Sequence, residues 1–184
     1  MNHRLVFFFL LQIEFNVKQQ FISLYIYLML HFFHIIKQAV WIRVPPSIRK
    51  AVDIQKLPFR AGQHAASHAL LNVVPLYLMC NASDLRSECA NPHETRKIPE
   101  RILLYDQHPG GIGISKKVQL LFRELLTASL ELVTACSCST NAGCPNCIQT
   151  LSCSEYNEVL DKKAAIIILK GVLEAETESL ASKF

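Results

Sequence analysis

Five of the chain's seven cysteines stand within residues 136–153, and this crowding restricts how the chain can fold more sharply than any other feature. They read Cys136-Ser137-Cys138, then Cys144-Pro145-Asn146-Cys147, then Cys153, with Cys80 and Cys89 well upstream. An odd total and tight clustering suit metal ligation in a reducing compartment better than a secreted disulfide framework. A bridge between Cys136 and Cys138 would be strained, because so short a loop opposes the geometry of the bond. Cys144-Pro145-Asn146-Cys147 is a C-x-x-C turn that sets two sulfurs on one side of a tight loop, and Gly143 relieves the backbone just before it. Cys136 and Cys138 can supply a second pair. Four thiolates around Zn²⁺ make a closed tetrahedral site, and closed sites are structural rather than catalytic. Cys153 stays open to two readings, a substitute ligand or a free core thiol. A thioredoxin-like redox pair is disfavoured, since no helix clearly starts at Cys147 to favour its thiolate.

The rest of the chain must supply the core on which such a cluster sits. Its 184 residues allow one domain. The formal net charge of +4 permits contact with nucleic acid without arguing for it. Hydrophobicity is uneven: residues 1–38 hold the apolar runs 4–12 and 21–36. Neither run reaches the roughly 20 residues a membrane helix needs. His31 and His34 lie in the second run, and Lys18-Gln19-Gln20 keeps the two apart. No small-residue cleavage site follows the basic start, which tells against a signal peptide. The segment reads either as a pair of buried hydrophobic helices or as sequence translated from a mispredicted start. The absence of Gly and Pro before Pro45 favours the second. Residues 1–38 are therefore set aside as a hydrophobic segment, residues 39–184 are taken as the domain, and a membrane partner is disfavoured.

From Gln38 onward the texture is that of a folded domain. Residues 39–44 alternate as a strand that Pro45-Pro46 ends. A short helix is expected over 47–56 with Ser47 as its N-cap, and a second over 63–80 that Pro75 ends or kinks. Residues 81–100 read as a long polar loop. Residues 101–106 form a buried strand, followed by a sharp turn at Pro109-Gly110-Gly111-Ile112-Gly113. A helix over 115–135 follows, with Ser115 as cap and Val118, Leu121, Phe122, Leu125 and Leu132 at helical spacing. A last helix over 158–180 places Leu160, Ala164, Ile167, Ile168 and Val172 on one face. The expected class is α+β: a small mixed helix and strand domain closed by a four-cysteine zinc site.

Two further features invite chemistry. His64 and His68 share a helix face at i and i+4, a spacing that suits metal, but Ala65 stands where H-E-x-x-H needs Glu. Packing or hydrogen bonding against the Tyr105-Asp106 strand end is the preferred reading. The segment Asp106-Gln107-His108-Pro109-Gly110-Gly111-Ile112-Gly113, between strand and helix, invites an anion-binding reading, with Lys116 and Lys117 in support. It lacks both the G-x-x-x-x-G-K-[ST] and the dinucleotide spacings. A tight turn for strand-to-helix packing is preferred, with a nucleic-acid phosphate contact as the alternative. No nucleophile, base and orienter can be assembled, and no Walker A or D-E-A-D-type box occurs.

The order Ala61-Gly62-Gln63-His64-Ala65-Ala66-Ser67-His68-Ala69-Leu70-Leu71, then Leu103-Leu104-Tyr105-Asp106 with Pro109-Gly110-Gly111-Ile112-Gly113, then Gly143-Cys144-Pro145-Asn146-Cys147, resembles one family. It is the C-terminal zinc-binding domain of MrfA-like and Hrq-type helicases, which are RecQ-like members of superfamily 2. The likeness covers residues 39–173 and looks nearest to plant members, which would place the protein in the nucleus. It implies full-length relatives that are ATP-dependent 3′-to-5′ DNA helicases of DNA repair, with this domain at their C-terminus. It also implies Cys136, Cys138, Cys144 and Cys147 as the ligands of one structural Zn²⁺, and leaves Cys153 unassigned. The RecA-like motor domains have no counterpart in these residues. ATP binding and unwinding are thus not expected of this chain alone, which reads as a fragment or truncated product. Single-stranded DNA, met weakly or through a parent helicase, and RecA-like motor domains are the implied partners. Two other readings compete: a free-standing zinc module for protein contacts, and a zinc protein tethered to a membrane by residues 21–36.

Overall fold

Alternating apolar residues make the first strand of the domain. In β3 (Ala39–Arg43), Val40 and Ile42 are buried while Arg43 faces out, as period-two alternation requires. In the computed structural model, which describes residues 24–26, 35–87 and 100–181, β3 pairs antiparallel with β5 (Arg101–Asp106). Ala39 stands opposite Tyr105 and Arg43 opposite Arg101. The other edge of β5 takes β4 (Leu85–Ser87), with Leu85 opposite Asp106, giving an antiparallel sheet in the order β3-β5-β4. As the central strand, β5 buries Ile102, Leu103 and Leu104 in succession. The short strand β4 lies in the stretch expected to be all loop, and residues 88–99 of that stretch lie outside the described residues.

Within the opening segment, β1 (Leu24–Ile26) and β2 (Ile35–Lys37) form a two-stranded antiparallel pair. Strand, not helix, is therefore the conformation of these described parts, and the helix-pair reading does not hold for them. The remainder of residues 1–34, with most of the 21–36 run, lies outside the described residues. Among those described, no helix is long and apolar enough to cross a membrane.

Five helices occur among the described residues, of which those at Phe59–Leu78 and Ile114–Leu120 pack on the sheet, and their starts differ from the expected caps. In α1 (Pro46–Ile54) Pro45 is the N-cap and no side chain caps the helix, so Ser47 does not serve. The proline pair makes a side-chain cap unnecessary: its φ is already helical, and Pro46 has no N–H to satisfy. Helix α2 (Phe59–Leu78) starts directly after Pro58, four residues earlier than expected. It continues through Pro75 and ends at Met79 in the left-handed region. Pro75 cannot donate the N–H that would meet the Leu71 carbonyl, yet the helix runs on for three residues beyond it.

The expected single helix over 115–135 is two: α3 (Ile114–Leu120) and α4 (Phe122–Ala135), separated at Leu121 with φ −108°. Helix α5 (Lys162–Ala181) starts four residues later than expected, and Asp161 caps it by accepting the Ala164 N–H at 2.7 Å. Its buried face is Ala164, Ala165, Ile168, Leu169 and Val172, with Ile167 turned half out.

Helices α2, α4 and α5 pack together, and α2 also contacts β4 and β5. Fourteen of the twenty residues of α2 are buried, so this helix is enclosed on every side rather than along one stripe. Small residues permit the enclosure. A Cβ placed on Gly62 would lie 2.5 Å from Ala164 Cβ, so α5 crosses there almost backbone to backbone. Enclosure also means that the polar residues of α2 (Gln63, His64, Ser67 and His68) are buried. Buried polar groups need partners, and several of these lie in the cysteine-bearing loop.

Candidate metal centre

Helix α4 delivers the first pair of sulfurs. It stops at Ala135 because Cys136 turns extended (φ −69°, ψ 122°), and extended backbone projects residues i and i+2 to the same side. Cys136 and Cys138 therefore face one way. The chain then reverses through residues 140–143. There Thr140 Oγ1 donates to the Gly143 carbonyl at 2.6 Å, and the Gly143 N–H donates to the Thr140 carbonyl at 3.1 Å. Gly143 has φ +70°, and a Cβ there would meet Ile148 Cβ at 3.0 Å and Cys147 Sγ at 3.1 Å. Glycine is thus required both by conformation and by space.

Residues 144–147 form a knuckle. The N–H groups of Cys147, Ile148 and Gln149 all converge on the Cys144 carbonyl at 3.0 Å, and the Cys144 N–H donates to Cys147 Sγ at 3.3 Å. Ile148 is fully buried beneath it. The four sulfurs of Cys136, Cys138, Cys144 and Cys147 lie within 4.8 Å of one another. Cys136 and Cys144 are 3.5 Å apart, Cys138 and Cys147 3.7 Å, and Cys144 and Cys147 3.7 Å. A tetrahedron with Zn–S bonds of about 2.3 Å has edges of about 3.8 Å, so these spacings fit a zinc-sized ion without rearrangement. None of the four is in a disulfide.

The electrostatics around the cluster favour thiolates unevenly. Cys136 is held down to about 7, first by the Cys138 backbone N–H and then by the Cys144 thiol. Burial pushes Cys147 up to about 12 against the hydrogen bond from Cys144. A cation stands beside them: Lys162 Nζ donates to the carbonyls of Cys136 (2.7 Å) and Cys138 (3.2 Å) and to Cys138 Sγ (3.3 Å). Burial works against the charged ammonium. The hydrogen bond to Cys138 Sγ and the charges of Cys138, Cys136 and Cys147 outweigh it, raising the Lys162 pKa. A further clamp comes from α2, where Asn72 Nδ2 donates to the Cys147 carbonyl at 3.2 Å.

Neither Lys162 nor Asn72 was singled out in the sequence. For Asn72 a signal existed: His64, His68 and Asn72 continue one helical face at i, i+4 and i+8. Lys162 had none beyond its place at the start of α5.

The two features set beside the cysteines resolve differently. The hydrogen-bond partners of His64 are not at the Tyr105-Asp106 strand end. His64 Nδ1 instead lies 2.8 Å from the Val159 carbonyl and His64 Nε2 lies 3.5 Å from Cys153 Sγ, while the two imidazoles meet edge to face at 4.3 Å. Cys153 is therefore remote in role from the other four, and it faces histidines.

The Gly-rich turn closes on a carboxylate of its own chain. Asp106, fully buried, accepts the N–H groups of Ile112 and Gly113 on Oδ2 and of Ser115 on Oδ1, each at 2.8 Å. Asp106, not Ser115, thus caps α3, whose N-cap is Gly113 at φ +83°. The amides that would have met a phosphate are taken, and a buried negative charge stands behind them. The tight-turn reading holds and the phosphate contact through these amides does not. Lys116 and Lys117 are exposed on α3.

Comparison with known proteins bears on the whole cluster. The family model of the MrfA Zn-binding domain matches residues 66–148, a span containing all four clustered cysteines. The "ATP-dependent helicase hrq1" of Schizosaccharomyces pombe is 34% identical over 147 residues, 72% of this chain and 14% of that protein. The chain thus spans about a seventh of that helicase. A Methanocaldococcus jannaschii protein, "Uncharacterized protein MJ1572.1", is 30% identical over 112 residues, 60% of this chain and 98% of the relative. Among solved structures, that of "DUF1998 helicase MrfA bound to DNA" superposes with a TM-score of 0.52 at 25% identity, covering 77% of this chain and 18% of the other.

Proposed function

The chain belongs to the MrfA zinc-binding domain family, and from that premise we propose that it is the zinc-clasped accessory module of a superfamily 2 3′-to-5′ DNA helicase of DNA repair. The observation that carries this reading is the sulfur geometry. Four thiols sit at the edge lengths of a tetrahedral zinc site, inside the span that matches the family. Cys136, Cys138, Cys144 and Cys147 are the ligands in this reading. Four protein ligands leave no open position, so the ion is structural and no chemistry is routed through it. A structural zinc contributes on the order of 10–16 kcal/mol of apparent binding free energy, comparable to the stability of a whole domain. Here it would tie the end of α4 to the 144–147 knuckle, with Lys162 fastening both to the start of α5.

DNA enters as the partner because the Schizosaccharomyces pombe relative and the superposed structure carry helicase names, and the latter is described as bound to DNA. Weak, single-strand binding, a RecA-like motor as second partner and a nuclear location belong to the same proposal. Fluorescence anisotropy of a labelled single-stranded oligonucleotide tests the reading. We expect binding by the zinc-loaded chain that weakens steeply as salt rises, because neutralised phosphates release counterions, and that disappears on chelation. No binding at low salt by zinc-loaded, folded protein would overturn the DNA role and leave a zinc module for protein contacts.

A further inference from the structure

Apart from the four clustered cysteines, one further buried sulfur meets two buried imidazoles. Cys153 Sγ and ring nitrogens of His64 and His68 lie within 4.8 Å of one another, all three residues buried. We propose that His64, His68 and Cys153 form a second zinc site, separate from the four-cysteine cluster and tying α2 to the turn over residues 153–159.

Three observations support ligation over simple packing. The first is spacing. A tetrahedral ion with Zn–S of about 2.3 Å and Zn–N of about 2.05 Å sets its sulfur and nitrogen ligands about 3.6 Å apart. Cys153 Sγ and His64 Nε2 are 3.5 Å apart. The second is orientation. The Val159 carbonyl, an acceptor only, sits 2.8 Å from His64 Nδ1, so Nδ1 carries a hydrogen, and in the neutral ring Nε2 is the lone-pair nitrogen that faces Cys153. A metal-ligating histidine is oriented in this same way, by donating its other ring N–H to a carbonyl. The Glu155 carboxylate, 3.7 Å from the same Nδ1, adds a second acceptor on that side.

The third observation is the setting of the sulfur. The backbone N–H groups of Glu155 and Asn157 both point at Cys153 Sγ, at 3.4 Å each. To aim them there, the chain holds Tyr156 and Asn157 at φ 52° and 61°, a conformation that costs a non-glycine residue energy. Two N–H donors on one sulfur fix its position beside the imidazoles. Three protein ligands leave one coordination position for a water. Burial of all three ligands makes the role structural, holding the chain between the knuckle and α5 against the central helix.

The test is metal content and ligand type on the full chain, purified under reducing conditions and dialysed against metal-free buffer. We expect about two zinc ions per chain by mass spectrometry. Zinc X-ray absorption is expected to show imidazole scattering beside sulfur, and Cys153→Ser is expected to lose about one zinc with the imidazole signal. A sulfur-only spectrum of the unmutated chain would overturn the proposal, whatever the variant does. If Cys153→Ser fails to fold, the unmutated spectrum decides alone. One zinc with imidazole in its shell would uphold this site and sink the four-thiolate one instead, so the two assignments fail separately.

Discussion

Replacing Lys162 with methionine keeps the length and packing of the side chain and removes its charge and three donors. In the structure one ammonium serves two carbonyls, of Cys136 and Cys138, and one sulfur, Cys138 Sγ, at 2.7, 3.2 and 3.3 Å. Hydrogen bonds to charged groups contribute about 1.5–3 kcal/mol net. Four thiolates around Zn²⁺ carry two net negative charges, so the ammonium also offsets a charge that the loop would otherwise bear alone. Direct Coulomb attraction at about 4 Å is roughly 4 kcal/mol at an effective dielectric of 20. The half-exposed position of Lys162 lets solvent screen much of that. The loss should therefore fall near 1.5–2 kcal/mol, or about ten- to thirtyfold in zinc affinity, in line with the effect of altering outer-shell partners elsewhere. Competition against a chromophoric zinc chelator measures it, with circular dichroism of the zinc-loaded protein as the control for folding. Lys162→Arg, which keeps the charge, should lose less than Lys162→Met. Zinc affinity of Lys162→Met within twofold of the parent refutes the idea that this cation supports the cluster.

Two further substitutions probe how the scaffold is held. Asp106→Ala strands three backbone N–H groups at the start of α3, the Ser115 one fully buried, and should cost about 2–4 kcal/mol in urea denaturation. Zinc content should be unchanged, because the cap lies in another part of the fold; a loss below 0.5 kcal/mol would show that water replaces the carboxylate. For Gly62→Ala the sign is the test. Helix propensity alone favours alanine by about 1 kcal/mol, whereas the 2.5 Å approach to Ala164 Cβ makes it an overpacking change costing about 1–3 kcal/mol. Thermal melting should show a lower midpoint for the variant, and a higher one would mean that α5 yields freely at this crossing.

Much of the site was legible in the sequence because its information is local. The C-x-x-C spacing, the glycine before it and the C-x-C pair after a periodic helix are short-range patterns, and the structure brings those four sulfurs together. The strands over 39–43 and 101–106 were readable for the same reason, since alternation and apolar runs report burial directly. Helix caps were not. Ser47 and Ser115 are the residue types a cap prefers, yet a proline pair and Asp106 do those jobs. A local preference of about 1 kcal/mol is easily outweighed when a buried carboxylate can collect three N–H groups at once.

The second half of the chemistry around the cysteines depends on long-range packing. His64 and Cys153 are separated by 89 residues, and Lys162 and Cys138 by 24. No spacing rule links residues on different elements. They meet because α2 is enclosed by α4, α5 and the sheet, so its polar residues must find partners in whatever loop covers them. Local spacing pointed to a metal-binding loop, and the family resemblance pointed to four of its five sulfurs. The packing of α2 and α5 beneath that loop determined that a lysine stands at its thiolates and that the fifth cysteine faces two histidines. The reason is that burial of a polar side chain is a property of the assembled core, which no short stretch of chain encodes.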